Sequence, residues 1–349
     1  MDLFDNSEQD LRIRAIARAA GNEHMTGAEK DLLWQRIDAG MQQKNKRIYL
    51  LYAWKAAAII LVLLLPLFYW LRPSEQPAIL RFAGKEQVVA QDTLTAVRLI
   101  LSNNKQVQVA QQKAVITYQS GNTLTVNTQQ VSQDTRLGSF NTLLVPYAHT
   151  AELTLSDGTH VWLNAGSRLV YPPAFDKTER SVVLEGEGYF EVSKDAARPF
   201  YVYAGDSKVK VLGTSFNISA YKDDQQQQFV LCTGSISVET GTHASLLKPG
   251  QMAVVTDGIQ QEAGMVSTEM YTAWKDHHLI AMHTTLEDIL KKLARYYNRK
   301  ITIHSTKSSE TFSGDIDLHN NMDDVLKSIA EATSMRYENI SGNIVFSKQ

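Results

Sequence analysis

The chain has 349 residues, of which 44% are hydrophobic and 21% are charged, and its formal net charge is −2. Five Trp, 14 Tyr and 11 Phe in a near-neutral chain exclude a disordered protein, and the lack of a basic excess excludes a protein that coats nucleic acid. The single cysteine excludes a disulfide scaffold and a cysteine-based metal site. We interpret Cys232 as a small core residue of an apolar strand.

Residues 1–47 carry eight acidic and eight basic side chains. The segment Thr26-Gly27-Ala28-Glu29 has the spacing of a capping box, which predicts a short helix that begins there. Helices this short bury little apolar surface alone, so we expect a partner to cover the apolar face. The side chains expected to bind this partner are Leu33, Trp34 and Ile37. A membrane-proximal tail without a specific partner is the alternative.

A hydrophobic block occupies residues 48–71, where Lys55 is the only charge in 24 residues. About 20 apolar residues span the hydrocarbon core of a bilayer, and aromatic residues lie near both ends of this block. The sequence therefore predicts a single-pass membrane protein, with a buried core helix or a cleaved signal peptide as alternatives. The basic residues before the span and the length after it favour a cytoplasmic N-terminus, a linker at 72–78 and an exported remainder.

Residues 79–270 show short alternating strands separated by glycine, asparagine and aspartate. Asp157 and Gly158 predict a hairpin turn between two such strands. Residues 96–118 resemble residues 150–171 at an offset of 54, which indicates a repeated hairpin. Stacked hairpins predict an exported all-β domain, either a sandwich or a solenoid-like stack.

Residues 271–349 have a different, mixed pattern. Thr285 and Asn321 are predicted to cap two helices, each with its apolar side chains on one face. Strands lie before and after each helix, which predicts a small α+β domain of two tandem units in the order β-α-β-β-α-β. Such a domain can leave an open sheet edge, and an open edge can accept a partner strand.

The sequence contains no nucleotide-binding loop, no serine-hydrolase motif and no zinc-protease motif. His277, His278 and His283 are clustered, but we interpret them as capping or solvent-exposed side chains rather than as metal ligands. We expect no cofactor, no bound metal and no direct contact with nucleic acid.

Glu185, Glu187 and Glu191 form an acidic group that could supply an acid and a base. Strand alternation favours a solvated acidic face instead. Asp223 and Asp224 are interpreted as part of a loop. We therefore expect no catalytic residue, and the chain is predicted not to be an enzyme.

Ordered motifs continue through the second half of the chain. They are LTLSDGT at 153–159, VWLNAGS at 161–167, LEGEGYFEV at 184–192, RPF at 198–200, VLGTSFNI at 211–218, LKPGQ at 247–251 and WKD at 274–276. Over about 140–349 the chain resembles FecR-type transmembrane sensors, the anti-sigma regulators, in the style found in Bacteroidetes. The chain departs from the family's pattern at residues 147–149, which lack the glycines usual after Pro146, and at His277, where glycine is usual.

This resemblance implies an inner-membrane regulator of an extracytoplasmic-function sigma factor in a Gram-negative bacterium. In the periplasm, the signalling domain of a TonB-dependent outer-membrane transporter for an iron chelate or a glycan would contact the C-terminal part. The signal would cross the membrane with proteolysis by an intramembrane protease. The sigma factor would bind the short helical N-terminus.

We interpret the motif residues as fold-defining rather than partner-contacting, because glycines supply positive φ at turns and aromatic side chains fill the core. They are Asp157, Gly158, Trp162, Asn164, Gly166, Tyr171, Gly186, Gly188, Phe190, Gly213 and Phe216. Two other functions stay open at this point. One is a membrane-anchored β-rich binding or adhesion module without signalling, and the other is an anchored hydrolase that uses Glu185 and Glu191.

Overall fold

The computed structural model divides the chain into two compact units, Met1–Glu75 and Gln76–Gln349. It describes residues 14–16, 18, 26–37, 39, 55, 64, 76–85, 94–118, 123–136, 138–304 and 310–348. In the first unit, residues 27–37 are helical. The backbone N–H and the hydroxyl of Thr26 both donate to Glu29 Oε2, at 3.0 and 2.9 Å, and these bonds lower the pKa of the Glu29 carboxyl. The predicted helix start at Thr26 is confirmed.

The predicted membrane span at 48–71 lies outside the described residues, apart from Lys55 and Leu64. Within the described ranges, no helix has both the length and the apolar composition needed to cross a bilayer. The span, its orientation and the linker after it stay predictions.

The second unit begins with a helix, α1 (Ala78–Lys85), where the alternating pattern predicted strands. Ile79 and Ala83 are buried, and they pack on Val170 and Val183. The strand prediction is wrong here because the apolar side chains at 79, 80, 82 and 83 form one helical face, which covers the outside of a sheet.

Nineteen strands follow in the described part of residues 94–265. Their bounds are β1 (Val97–Ile100), β2 (Gln106–Val109), β3 (Lys113–Tyr118), β4 (Thr123–Val126), β5 (Gln129–Ser132), β6 (Asn141–Leu144), β7 (Thr150–Thr154), β8 (His160–Leu163), β9 (Arg168–Tyr171), β10 (Arg180–Glu191), β11 (Phe200–Ala204), β12 (Ser207–Val211), β13 (Ser215–Ala220), β14 (Gln226–Thr233), β15 (Ile236–Thr240), β16 (His243–Leu247), β17 (Gln251–Thr256), β18 (Ile259–Gln260) and β19 (Gly264–Met265).

Backbone pairing arranges these strands in two sheets. Sheet A has the order β2-β1-β6-β9-β10-β11-β12-β15-β16. Sheet B has the order β5-β4-β3-β7-β8-β10-β13-β14-β17, with β18 and β19 both paired to β17. The pairs β3–β7 and β10–β11 are parallel, and the others are antiparallel. Apolar side chains from both sheets form one continuous core, which favours a sandwich over a solenoid-like stack.

Strand β10 belongs to both sheets. Its first half pairs in sheet A as far as Glu185, and its second half pairs in sheet B from Gly186 onward. Gly186 has a φ of +96°, and a Cβ atom there would lie 2.7 Å from the Cα of Ser167. Glycine is therefore required where the strand passes from one sheet to the other.

The predicted repeat is confirmed by strand register. Val97 pairs with Val109 in the first hairpin, and Ala151 pairs with Leu163 in the second, which is the same pairing moved by 54 positions. The two turns also correspond, because Asn104 has a φ of +62° and Gly158 has a φ of +82°.

The C-terminal domain follows helix α2 (Glu269–Thr272) and a 3-10 turn (Ala273–Asp276). Its elements are β20 (His278–Thr285), α3 (Leu286–Tyr297), β21 (Ile301–His304), β22 (Thr311–Asp317), α4 (Met322–Ala332), β23 (Met335–Ile340) and β24 (Asn343–Lys348). Thr285 and Asn321 cap the two helices as predicted, each by accepting a backbone N–H three residues later.

The strands of this domain differ from the predicted arrangement. They form two ladders, β20–β22 and β21–β24–β23, so the strands of the two predicted β-α-β units are divided between two ladders. One apolar core nevertheless joins both ladders and both helices.

Candidate functional site

A buried glutamate lies where the sandwich meets the C-terminal domain. Glu187 is 7% exposed, and its carboxylate accepts from Asn164 Nδ2 at 2.8 Å and from Asn217 Nδ2 at 3.0 Å. Asn217 Oδ1 in turn accepts from Trp274 Nε1 at 3.2 Å. The prediction of a solvated acidic face is wrong for Glu187, because β10 changes sheets one residue earlier.

A second polar contact joins the two domains at the end of α3. Both terminal nitrogens of Arg295 donate to the carboxylate of Asp224, at 3.0 and 2.7 Å, and Asp223 Oδ2 lies 2.9 Å from Nη2. The guanidinium also lies 3.8 Å from the ring centre of Tyr221, in a cation–π geometry. The two aspartates, interpreted from sequence as loop residues only, are therefore junction residues.

Burial and hydrogen bonding shift the pKa values of Arg295 and Tyr221 at this contact. Burial lowers the pKa of Arg295, but hydrogen bonds to Asp224 and Asp223 outweigh burial and raise it overall, so the guanidinium stays charged. Burial raises the pKa of the Tyr221 phenol well above its ordinary value. The phenol is therefore a neutral donor, and it donates to the backbone oxygen of Ala165 at 2.8 Å.

Both contacts converge on one motif segment, residues 164–168. Asn164 binds Glu187, Ala165 binds Tyr221, and the Ser167 hydroxyl contacts both the backbone oxygen and the backbone N–H of Glu187 at 2.9 Å. We name residues 164–168 the junction segment.

The junction segment also reaches α1 on the other side of the sheet. Arg168, which is 3% exposed, donates from Nη2 to the backbone oxygen of Ala83 at 3.1 Å and from Nη1 to Glu185 Oε1 at 3.1 Å. Lys222 Nζ also lies 3.0 Å from Glu185 Oε1. Sequence reasoning named Asn164 and Gly166 here, but it did not find Arg168, which has no signal beyond its place after the VWLNAGS motif.

A cleft of about 390 Å³ opens between the sandwich and the C-terminal domain. Its lining includes Glu187 and Tyr221 from the sandwich, Trp274 from the 3-10 turn, and Arg295 and Tyr296 from α3. The junction is therefore polar and partly open, as domain interfaces that move commonly are.

The backbone is left-handed at two junction positions where the resemblance implies glycine. Ala148 has a φ of +60°, and its N–H donates to the backbone oxygen of Arg295 at 2.9 Å. His277 has a φ of +58° at the end of the 3-10 turn. Non-glycine residues in this region carry strain, and here both lie between the domains.

Most of the residues predicted to define the fold are buried or lie at turns with positive φ. Phe190 and Phe216 are fully buried and stacked at 5.1 Å, Tyr171 is fully buried, and a Cβ atom on Gly188 would lie 3.1 Å from the ring of Phe190. Gly158, Gly166, Gly186 and Gly213 all have positive φ.

Asp157 has a role beyond its turn. Its carboxylate accepts from Arg180 Nη1 at 2.7 Å, and the two side chains are 3% and 0% exposed. Arg180 also donates to the backbone oxygens of Ser193 and Arg198, at 2.9 Å each. Sequence reasoning did not identify Arg180.

The core position predicted for Trp162 is wrong. Its side chain is half-buried on the outer face of sheet B. Its indole N–H donates to Glu152 Oε1 at 2.9 Å. Lys275, from the 3-10 turn, places its ammonium 5.3 Å from the Trp162 ring centre and 3.7 Å from that of Tyr189. Nearby, Cys232 is half-buried rather than a core residue.

The clustered histidines bind separate partners. His277 Nδ1 lies 2.9 Å from the Tyr296 hydroxyl, His278 Nδ1 lies 2.9 Å from Asp315 Oδ1, and His283 occupies a left-handed turn. Among the described residues, no group of three or more His, Cys, Asp or Glu side chains could hold a metal ion.

Glu185 and Glu191 do not form a carboxylate pair. They lie six positions apart on one strand, which is roughly 20 Å at about 3.3 Å per residue. Paired glycosidase carboxylates lie about 5 to 9.5 Å apart, so the geometry does not favour a hydrolase. Glu185 is also occupied by Arg168 and Lys222.

The three side chains predicted to bind a partner lie on the helix at 27–37 of the first unit. Leu33, Trp34 and Ile37 are 41%, 64% and 40% exposed. Such exposure of three large apolar side chains on one short helix is typical of a binding surface.

The sandwich, the α+β domain and the buried polar junction between them define a two-domain class of protein. The chain matches the family FecR protein over residues 141–237 and the family FecR, C-terminal, over residues 278–346. The chain belongs to the FecR family.

Two crystal structures, each of a candidate anti-sigma factor from Parabacteroides distasonis ATCC 8503, at 1.65 and 2.50 Å, are similar to this chain. The first is 31% identical with a TM-score of 0.56, and the match covers 59% of this chain and 97% of that one. The second is 30% identical with a TM-score of 0.57, and the match covers 60% and 99%. No curated protein matches the chain.

Proposed function

We propose that this chain is an anti-sigma regulator, and that its N-terminal helix binds an extracytoplasmic-function sigma factor. The observation that carries the proposal is the match of both FecR domains together with the exposed face of Leu33, Trp34 and Ile37. The two similar crystal structures, whose proteins are described as candidate anti-sigma factors, support it.

The remaining parts of the proposal concern the route of the signal. The hydrophobic block at 48–71 anchors the chain in the inner membrane, with the sandwich and the C-terminal domain in the periplasm. The signalling domain of a TonB-dependent transporter binds the C-terminal domain, and cleavage by an intramembrane protease then frees the N-terminal segment. The two short ladders support this docking, because edge strands accept a partner strand.

The sigma-factor contact can be tested on the full chain. We expect Trp34→Ala to reduce co-purification with an extracytoplasmic-function sigma factor at least tenfold, since large aromatic side chains dominate such interfaces. The extracytoplasmic-function sigma factors of the source organism are tested one by one, and a promoter reporter for each gives the second readout.

Leu32→Ala is the matched control. Leu32 is 54% exposed on the same helix but lies about 100° around the helix axis from Leu33, so co-purification should change less than threefold. Equal effects of the two variants, or no sigma factor bound by the unaltered chain, would count against the proposal.

A further inference from the structure

We infer that the junction segment couples the packing of the C-terminal domain against the sandwich to the attachment of helix α1. The inference concerns how the proposed regulator is controlled, and only its purpose rests on the proposed function. It depends on hydrogen bonds that run from Trp274 to Asn164 and Ser167, and on the neighbouring residue Arg168, which binds the backbone oxygen of Ala83.

The first branch starts at the 3-10 turn. Trp274 donates to Asn217, Asn217 donates to Glu187, and both Asn164 and Ser167 bind Glu187. Asn217 is 1% exposed and Ser167 is fully buried. A buried polar group that loses its partner costs about 1–3 kcal/mol, so these bonds are expected to form and break together.

The second branch starts at α3. Arg295 stacks on Tyr221, and the Tyr221 hydroxyl donates to Ala165. The two branches thus start from different elements of the C-terminal side and reach adjacent residues of the same segment. Movement of the C-terminal domain acts on the junction segment through both.

Arg168 connects the junction segment to α1. It is the last residue of the junction segment, and it joins the backbone oxygen of Ala83 to Glu185, one residue before the sheet change at Gly186. Shifting residues 164–167 therefore shifts the side chain that holds the last turn of α1.

Helix α1 is suited to respond. It has eight residues, and Ile79 and Ala83 are its two buried side chains. A helix this short is marginal without its tertiary contacts, so losing the Arg168 bond is enough to loosen it. Because α1 directly follows the predicted linker at 72–78, its release would change access to the chain next to the membrane.

The coupling is measured by hydrogen–deuterium exchange on the purified full-length chain in detergent. Trp274→Phe keeps an aromatic ring and removes the N–H donor to Asn217. We expect the peptide that covers 78–85 to exchange at least fivefold faster, while β4 and β5 at the far edge of sheet B stay unchanged. Lys275→Met is the matched control, because it removes the cation over Tyr189 from the same turn without touching the hydrogen-bonded path.

A double-variant cycle then distinguishes coupling from two separate effects. Arg168→Lys alone should speed exchange of α1, and adding Trp274→Phe should change it less than twofold further, because the path is already broken. If the two substitutions speed α1 exchange independently, so that their fold-changes multiply in the double variant, the inference is overturned. Unchanged α1 exchange in Trp274→Phe, or faster exchange throughout the sandwich, would also overturn it.

Tyr221→Phe tests the second branch if Trp274→Phe does not fold. It removes one hydroxyl and keeps the ring under Arg295, and it should also speed α1 exchange. No sigma factor is present in these measurements, so their failure is distinct from failure of the Trp34 test.

Discussion

The two copies of the repeated hairpin have the same backbone and different surroundings. The connection after the first hairpin, residues 110–112, is exposed. Its counterpart 54 positions later, residues 164–166, contains two buried residues, and the burial continues through Ser167 and Arg168. The equivalent stretch of backbone is therefore exposed to solvent in the first copy and largely buried in the second.

The turns show the same contrast. Asn103 accepts the backbone N–H of Lys105 at 3.0 Å, and Asp157 accepts that of Thr159 at 3.0 Å. Asn103 is exposed and has no further role in the described contacts, whereas Asp157 also holds the buried Arg180. Alternation and a turn are shared by the two hairpins, and the buried polar residues of the second copy come from what that copy binds: strand β10, α1 and the C-terminal domain.

The largest expected effect comes from making the second turn like the first. Asp157→Asn keeps an acceptor for the Thr159 N–H but removes the charge beside Arg180. A buried guanidinium without its carboxylate costs about 3 kcal/mol of unfolding free energy. Urea denaturation should show this loss as a lower midpoint at unchanged slope.

The reverse change in the first copy is the control. Asn103→Asp lies on the surface, so it should alter the free energy of unfolding by less than about 0.5 kcal/mol. If both variants lose similar stability, the two turns are equivalent and the comparison between the copies fails.

The parts of the structure that sequence predicted are those set by local rules. The helix caps at Thr26, Thr285 and Asn321, the hairpin turn at Asp157 and the register of the repeat all follow from side chains close in sequence. Helix α1 was missed because a few apolar residues fit either period, and packing on Val170 and Val183 decides between them.

The junction could not be predicted because its partners are distant in sequence. Arg295 and Asp224 lie 71 positions apart, and Trp274 and Asn217 lie 57 apart. Glu187 was placed on a solvated face because simple alternation cannot foresee a strand that changes sheets. The residues that replace the expected glycines at 147–149 and at 277 could have indicated the junction, because Ala148 and His277 both have a left-handed backbone there.

A smaller effect is expected where the second copy meets the C-terminal domain. Ala148, two residues before the second copy, is left-handed, and Leu94, at the same place before the first copy, is not. Ala148→Gly should raise the free energy of unfolding by roughly 0.5 kcal/mol, because relief of backbone strain exceeds the entropy that glycine adds to the unfolded chain. Ala244→Gly, on the exposed edge strand β16, should lower it instead, and a loss in both variants would show that Ala148 carries no strain.

The smallest effect is a pH dependence where the first copy faces the C-terminal domain. Burial lowers the pKa of His277, and His319 and Lys113, at the start of β3, lower it further against Asp276 and Asp317. A pKa below that of the unfolded chain means that the stability contributed by neutral His277 is complete above about pH 6.5 and is lost as the pH falls toward the folded value. The wild-type chain should therefore lose stability relative to His277→Asn, which tolerates a left-handed backbone, in urea titrations between about pH 7 and about pH 5.

His278 gives the opposite sign, because its hydrogen bond to Asp315 raises its pKa. As the pH falls over the same range, the wild-type chain should therefore gain stability relative to His278→Asn. Parallel pH profiles for the two variants would mean that burial at the junction does not distinguish these neighbouring histidines.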